Sequence, residues 1–319
     1  MTIDWSTLLT ADADWPFRLL RSHTIKSEDK IVLRTYTLKD IDQESCNKPL
    51  VSFVKSSVKS YILNEKEIEL ETTSGNDPLK HALQYFGKID PLKDGKYGEM
   101  ILYLLVESIL KIPMVALKIP SSLRDQQKGS DGIFCGMYKG SQAILLGESK
   151  TWKDMEAALK DAFKSLDKLY TGNQLDQEYF VAKKGISKLN LTVEQLNYLY
   201  NCFSPTSTVY ASLEKVHPVL IVYSKDKLKE TIIEGDVDIE HKINQLIEST
   251  IDGNLNKIKK LCGKYQAVSK FHLDFFFIPV QCVDKLREDL YEEFHQEKWI
   301  KKPARKRSRS KKSKKVTNG

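Results

Sequence analysis

Residues 130–150 read SDGIFCGMYKGSQAILLGESK. Two apolar runs, GIFCGMY and QAILLGE, flank the dipeptide Lys139-Gly140, and their length and bounding glycines predict buried strands joined as a hairpin. A two-residue loop at Lys139-Gly140 pairs Tyr138 with Ser141, and counting back along both strands sets Asp131 opposite Glu148. Directly opposed residues of an antiparallel pair share a face and sit close together. Lys150 lies two residues beyond Glu148 and points the same way. The stretch thus gathers two carboxylates and an ammonium at one end of a sheet. A change of one residue in the loop would turn the opposed residue to the other face.

Carboxylates from two strands suit a hard divalent cation, Mg²⁺ or Mn²⁺, with positions left for water and a phosphate oxygen. Such an ion acidifies water and neutralises charge growing on a phosphate. Lys150 is suited to hold the attacking water or to stabilise the transition state electrostatically. Together these groups suit phosphodiester hydrolysis. Glu-x-Lys alone is a weak signal, because the chain holds it three times, at Glu28–Lys30, Glu148–Lys150 and Glu240–Lys242. Only the middle one ends an apolar strand preceded by a second strand that opens on an aspartate. The plainer reading of the same residues is a surface aspartate and a solvated Glu-Lys pair at an exposed strand end.

Outward from the hairpin, Trp152, Met155, Leu159, Ala162, Phe163, Leu166 and Leu169 follow the three-four spacing of one buried helical stripe. Thr151 is expected to cap that helix, with Asp154 in its first turn. On the other side, YGEMILYLLVESIL over residues 97–110 predicts a helix that closes before Pro113, and SSLRDQQKGSDG a polar loop. KIVLRTYT (30–37) reads as a strand, Leu50, Val54, Val58 and Tyr61 mark a helix, PLKHALQYF marks another, and TTSGND (72–77) is a loop between them. Further on, Thr192 and Gln195 form a capping box before Leu196, Leu199, Tyr200 and Phe203. PVLIVYS and FHLDFFFIPV read as buried strands. A long amphipathic helix runs from Ile239 through Ile258, weakened at Gly253, and Val283, Leu286, Leu290 and Phe294 make a last one. Helices alternate with buried strands, so the fold class is α/β: a mixed sheet flanked by helices. The expected organisation is an N-terminal α+β subdomain over residues 1–94, a catalytic domain over 95–298 and a disordered basic tail over 299–319.

Charge narrows the function. The net +7 is carried by the tail, where ten Lys and Arg lie between Lys301 and Lys315 with no acid, leaving 40 basic and 43 acidic residues elsewhere. Such a run holds polyanions through salt-sensitive phosphate contacts, or serves only as a solvated tail. No apolar run reaches the roughly 18 residues of a membrane span, and Asp4, Asp12 and Asp14 argue against a secretory signal. The five cysteines are odd in number and widely spaced, with no Cys-x-x-Cys pair, which fits a reduced, cytoplasmic setting and excludes a structural zinc motif. No P-loop is present, so ATP hydrolysis within this chain is not expected.

SDG (130–132), then GESK (147–150) followed directly by an amphipathic helix and preceded by GEMILYLLVE, resembles the core of the PD-(D/E)xK nucleases, the restriction-endonuclease-like fold. More narrowly the chain resembles the HamA-type nuclease subunit of the Hachiman anti-phage defence system, most clearly over residues 95–170. The resemblance implies that Asp131 and Glu148 ligate metal, that Lys150 is catalytic and that Glu99, early in the preceding helix, is a further acidic metal ligand. Glu99 also has the plainer role of an acid favoured by the helix dipole. Ser130 stands where the family name has proline, a variable position. The resemblance further implies DNA as substrate and a HamB-type helicase as partner, so the expected activity is that of a metal-dependent DNA endonuclease. The rival is a DNA- or helicase-binding regulatory subunit without activity. Arg124 and Lys128, entering Asp131, are candidate phosphate contacts or solvated loop charges. Trp152 reads as a core anchor rather than a base-stacking platform, and His217 and His272 as core histidines.

Overall fold

The computed structural model describes residues 3–300, apart from 42, 44, 89, 93–94, 117–129, 173, 188, 190 and 232–237. Arg124, Lys128 and the basic run Lys301 to Lys315 lie outside the described residues. Among the described residues nine strands form one mixed sheet: β1 (Leu20–Ser22), β2 (Lys26–Glu28), β3 (Ile31–Leu38), β4 (Met114–Ala116), β5 (Ile133–Tyr138), β6 (Ser141–Leu146), β7 (Glu148–Trp152), β8 (Glu214–Ser224) and β9 (His272–Val280). Their order is β1-β3-β9-β8-β6-β5-β4, with β2 paired to β3 and β7 paired to β8. The chain is thus α/β, as its alternating pattern predicts.

Among the described residues nine helices have nine residues or more: α1 (Lys48–Ile62), α2 (Glu65–Thr73), α3 (Pro78–Phe86), α4 (Lys96–Leu105), α5 (Met155–Thr171), α6 (Leu175–Ile186), α7 (Val193–Cys202), α8 (Ile239–Lys264) and α9 (Val283–His295). α4 runs on as a π-helical stretch, Val106–Leu110. They cover both faces of the sheet, because alternate strand residues are apolar on both sides. Leu220 and Val222 of β8 with Phe276 and Ile278 of β9 pack into one core with α1, α4 and α9. Val219 and Ile221 with Phe275 and Phe277 pack into the other with α5, α6 and α8.

The β5–β6 register is the predicted one, with Tyr138 opposite Ser141 and Ile133 opposite Leu146. Lys139 and Gly140 both have positive φ, as a tight hairpin turn requires. Beyond Ile133 the ladder departs from prediction. Asp131 and Glu148 are not a cross-strand pair: the Asp131 N–H donates to the Gly147 carbonyl, and Glu148 instead aligns with Val219 of β8. β6 and β7 run against β8 in one register, interrupted between Leu145↔Val216 and Glu148↔Val219. Pro218, inside that gap, has no N–H to donate. The His217 ring takes up the Leu146 carbonyl there instead (3.0 Å).

Three local expectations are corrected. Trp152 belongs to β7 and not to the α5 stripe, which comprises Ala158, Leu159, Ala162, Phe163, Leu166 and Leu169. Thr151 is also in β7, and the α5 cap is Asp154, whose carboxylate accepts from the Ala157 N–H at 2.6 Å. Thr72 and Thr73 close α2, a helix that no buried stripe announces. The capping box of Thr192 and Gln195 is present as read. The boundary expected at residue 94 falls between elements that share a core, since β3 lies inside the sheet and α1 packs in the same cluster as α4 and α9. No helix among the described residues is long and apolar enough to cross a membrane.

Candidate active site

Among the described residues β7 is paired on one edge, by β8. Its other edge would leave the Ser149 N–H without a ladder partner, and the Asp131 carboxylate fills that place. Asp131 Oδ2 accepts from the Ser149 N–H at 2.6 Å and from the Ser149 hydroxyl at 2.7 Å. Ser130, the residue before it, donates a short hydrogen bond from its hydroxyl to the buried carboxylate of Glu178 on α6. Gly98 lets the first turn of α4 lie against β7, since a Cβ there would stand 2.9 Å from Thr151 Oγ1 and 3.1 Å from Ser149 Oγ.

Strand alternation then divides β7 between the two layers. Ser149 and Thr151 face α4, whereas Glu148 and Lys150 align with Val219 and Ile221 and face α5. Lys150 Nζ is 2.5 Å from Glu148 Oε1 and 3.4 Å from Asp161 on α5. Glu148 is 1% exposed, so the expected solvent-facing strand end is corrected: α5 closes over it. Its Oε2 is buried and accepts no hydrogen bond from the described residues. A carboxylate oxygen left in that state is costly unless a cation or donor reaches it.

Electrostatics follow from this burial. Desolvation, reinforced by the Asp131 charge, pushes the Glu148 carboxyl up to about 8, with Lys150 and Ser165 offsetting part of the rise. For Lys150, desolvation works to lower the ammonium, and the carboxylates of Glu148, Asp131 and Asp161 outweigh it, so the net shift is upward. Lys150 is therefore a fixed cation at neutral pH.

Asp131, Glu148 and Lys150 are thus brought together. Glu99 is half-buried on the first turn of α4, with its carboxylate lying over Gly95. It is not gathered with Asp131 and Glu148: among the described residues no group of three or more His, Cys, Asp or Glu is placed to hold a metal. Two carboxylates nevertheless fit Mg²⁺ or Mn²⁺, which bind through one or two protein carboxylates and keep water or substrate oxygens on the remaining positions. The orphaned Glu148 Oε2 is the observation that favours this fit.

His217 is the satisfied core histidine expected. It is buried on β8, with Nδ1 donating to Leu146 and Nε2 accepting from the Tyr170 hydroxyl at 2.6 Å. His272 is half-buried, 3.7 Å from Glu214, with Nδ1 unpartnered. Trp152, read as a core anchor, is instead 43% exposed. The sequence reading missed Ser149, Asp161 and Glu178. Ser149 was legible as the middle residue of Glu-x-Lys, but the other two act through tertiary contacts that no local spacing announces.

A family model described as HamA matches residues 16–294. No curated protein matches the chain. On that coverage the chain belongs to the HamA family, a component of Hachiman defence against phage.

Proposed function

We propose that this chain is a metal-dependent nuclease that cuts DNA as the effector of its defence system. The observation that carries the reading is Glu148 Oε2, a buried carboxylate oxygen without a partner among the described residues and within electrostatic reach of Asp131, with a lysine cation two residues along the same strand face. A divalent cation, Mg²⁺ or Mn²⁺, held by Asp131 and Glu148 would neutralise charge on the phosphate and acidify the attacking water. Lys150, protonated throughout the neutral range, serves as an electrostatic clamp on a phosphate oxygen and not as a general base. Asp161 shares that cation with Glu148 and orients it. Ser149 fixes the Asp131 carboxylate, and Glu178 holds the adjacent Ser130. A helicase subunit of the HamB type is the partner this reading assigns.

The test is cleavage of plasmid and linear DNA by the purified chain with Mg²⁺ or Mn²⁺, against EDTA and against Glu148→Gln, which keeps the shape of the buried side chain. The expected result is metal-dependent cutting that the substitution lowers by at least about a hundredfold. Cutting by Glu148→Gln at the wild-type rate rejects the assignment. Where the chain alone is silent, the same comparison is made with its partner and ATP.

A further inference from the structure

We propose that Trp152 is a base-stacking platform beside the candidate active site, and that the nucleic acid presented there is single-stranded next to the scissile phosphate. The proposal rests on the nuclease reading for its place and on separate observations for its content. Glu148, Lys150 and Trp152 align with Val219, Ile221 and Tyr223 of β8, three residues of a single core layer. All three β7 side chains therefore leave the strand on the same face. Successive residues on one face are about 7 Å apart, so Trp152 stands roughly one nucleotide from Lys150.

The exposure of this indole sets it apart from its setting. Trp5 and Trp15 are buried, as are the strand residues with which Glu148 and Lys150 align. Trp152 closes an edge strand with 43% of its surface in solvent.

Basic residues from four segments lie near that end of β7, with Arg287 on the opposite layer of the sheet and the half-buried Lys225 ammonium donating to Thr250. Lys153 follows Trp152, and its carbonyl accepts from Ser224 N–H at 3.2 Å, which brings Lys225 alongside. Lys257 of α8 reaches the first turn of α5, 3.6 Å from Glu156. Lys227 and Lys257 are close enough to Lys225 to repel it. Arg287 of α9 donates to the Thr151 carbonyl in a short hydrogen bond. Asp284 engages Lys153 at 2.6 Å, and Glu156 engages Lys257, so the cluster is not purely basic. An exposed aromatic among cations is the usual platform for unpaired bases: the ring stacks any base and the cations follow the backbone. Bases within a duplex are already stacked on both faces and offer an indole only their edges, which is why the inference specifies a single strand.

Equilibrium binding of the full chain to a fluorescein-labelled dT oligonucleotide, measured by anisotropy in EDTA so that nothing is cut, tests the idea. Trp152→Ala should weaken single-strand binding about tenfold, while Trp152→Phe stays near wild type and binding to a blunt duplex is unchanged. Wild type should also bind an abasic oligonucleotide more weakly than dT, and Trp152→Ala should bind the two alike. Single-strand binding by Trp152→Ala at the wild-type level overturns the proposal. So does an equal loss on duplex and single strand, or a Trp152→Phe variant as poor as Trp152→Ala. If stacking passes these tests and no DNA is cut with any metal, by the chain alone or with its partner and ATP, the nuclease reading fails alone. If Glu148-dependent cutting is present and Trp152→Ala keeps full single-strand affinity, the stacking fails alone.

Discussion

Burial gives single side chains their chemistry in this protein, and His217 shows the effect away from the site. Its ring is fully enclosed between Leu146 and Tyr170, and desolvation lowers its pKa to about 4. The unfolded chain binds a proton near pH 6.5, whereas the folded chain does not until near pH 4. Its contribution to stability is therefore complete above about pH 6.5 and is lost as the pH falls toward 4. Between pH 7 and 5 the loss from this residue is about 2 kcal/mol. His217→Gln should be less stable at pH 7 but should lose about 2 kcal/mol less than wild type on going to pH 5, read from urea midpoints at the two values. An identical pH dependence in the two proteins would show that His217 titrates normally. Residue types and spacing made Asp131, Glu148 and Lys150 legible in the sequence. The burial of Glu148 was not, because α5 supplies it through packing that a strand pattern does not encode.

Elements were legible where periodicity was strong and illegible where a neighbour decided the outcome. The β5–β6 hairpin was readable from two apolar runs and Lys139-Gly140. α2 was missed because it has no buried residue to make a stripe; Asn64 and Glu67 start it through a capping box. The break between β6 and β7 depends on Pro218, some 70 residues later in the chain, so no local reading finds it. The seat of α6 on β4 is similarly tertiary. A Cβ on Gly185 would stand 2.5 Å from the Val115 carbonyl oxygen and 2.6 Å from Ala116 Cβ, so only glycine lets the helix approach. Gly185→Ala should push α6 from the sheet edge and cost about 1–3 kcal/mol, seen as a lower urea midpoint. An unchanged midpoint would mean the contact relaxes freely. The same helix carries Glu178, which links its position to the Asp131 loop.

Across the whole molecule the early and late parts of the chain are joined by a buried ion pair. Arg34 of β3 binds Asp274 of β9 in a two-pronged contact, 2.8 and 3.1 Å, and the Tyr138 hydroxyl adds a third bond at 3.0 Å. Asp274 is fully buried, so removal of its cation leaves a charge with little solvation. Arg34→Met should cost about 3–5 kcal/mol by urea unfolding, and adding Asp274→Asn should recover part of it. A single variant within about 1 kcal/mol of wild type would show that the pair contributes little. The boundary expected at residue 94 was read from a first third that has strands and helices of its own. Its partner strand, β9, lies some 240 residues away, and nothing local announces the pairing.

Whether Asp131 and Glu148 form a divalent-metal site is decided by Mn²⁺ binding, which needs neither partner nor substrate. Calorimetric titration of the full chain, with Glu148→Gln and Asp131→Asn measured alongside and thermal melts to confirm folding, gives the answer. Saturable binding is expected in the wild type, and both substitutions should abolish it. Equal Mn²⁺ binding by wild type and folded Glu148→Gln would contradict the metal-site assignment.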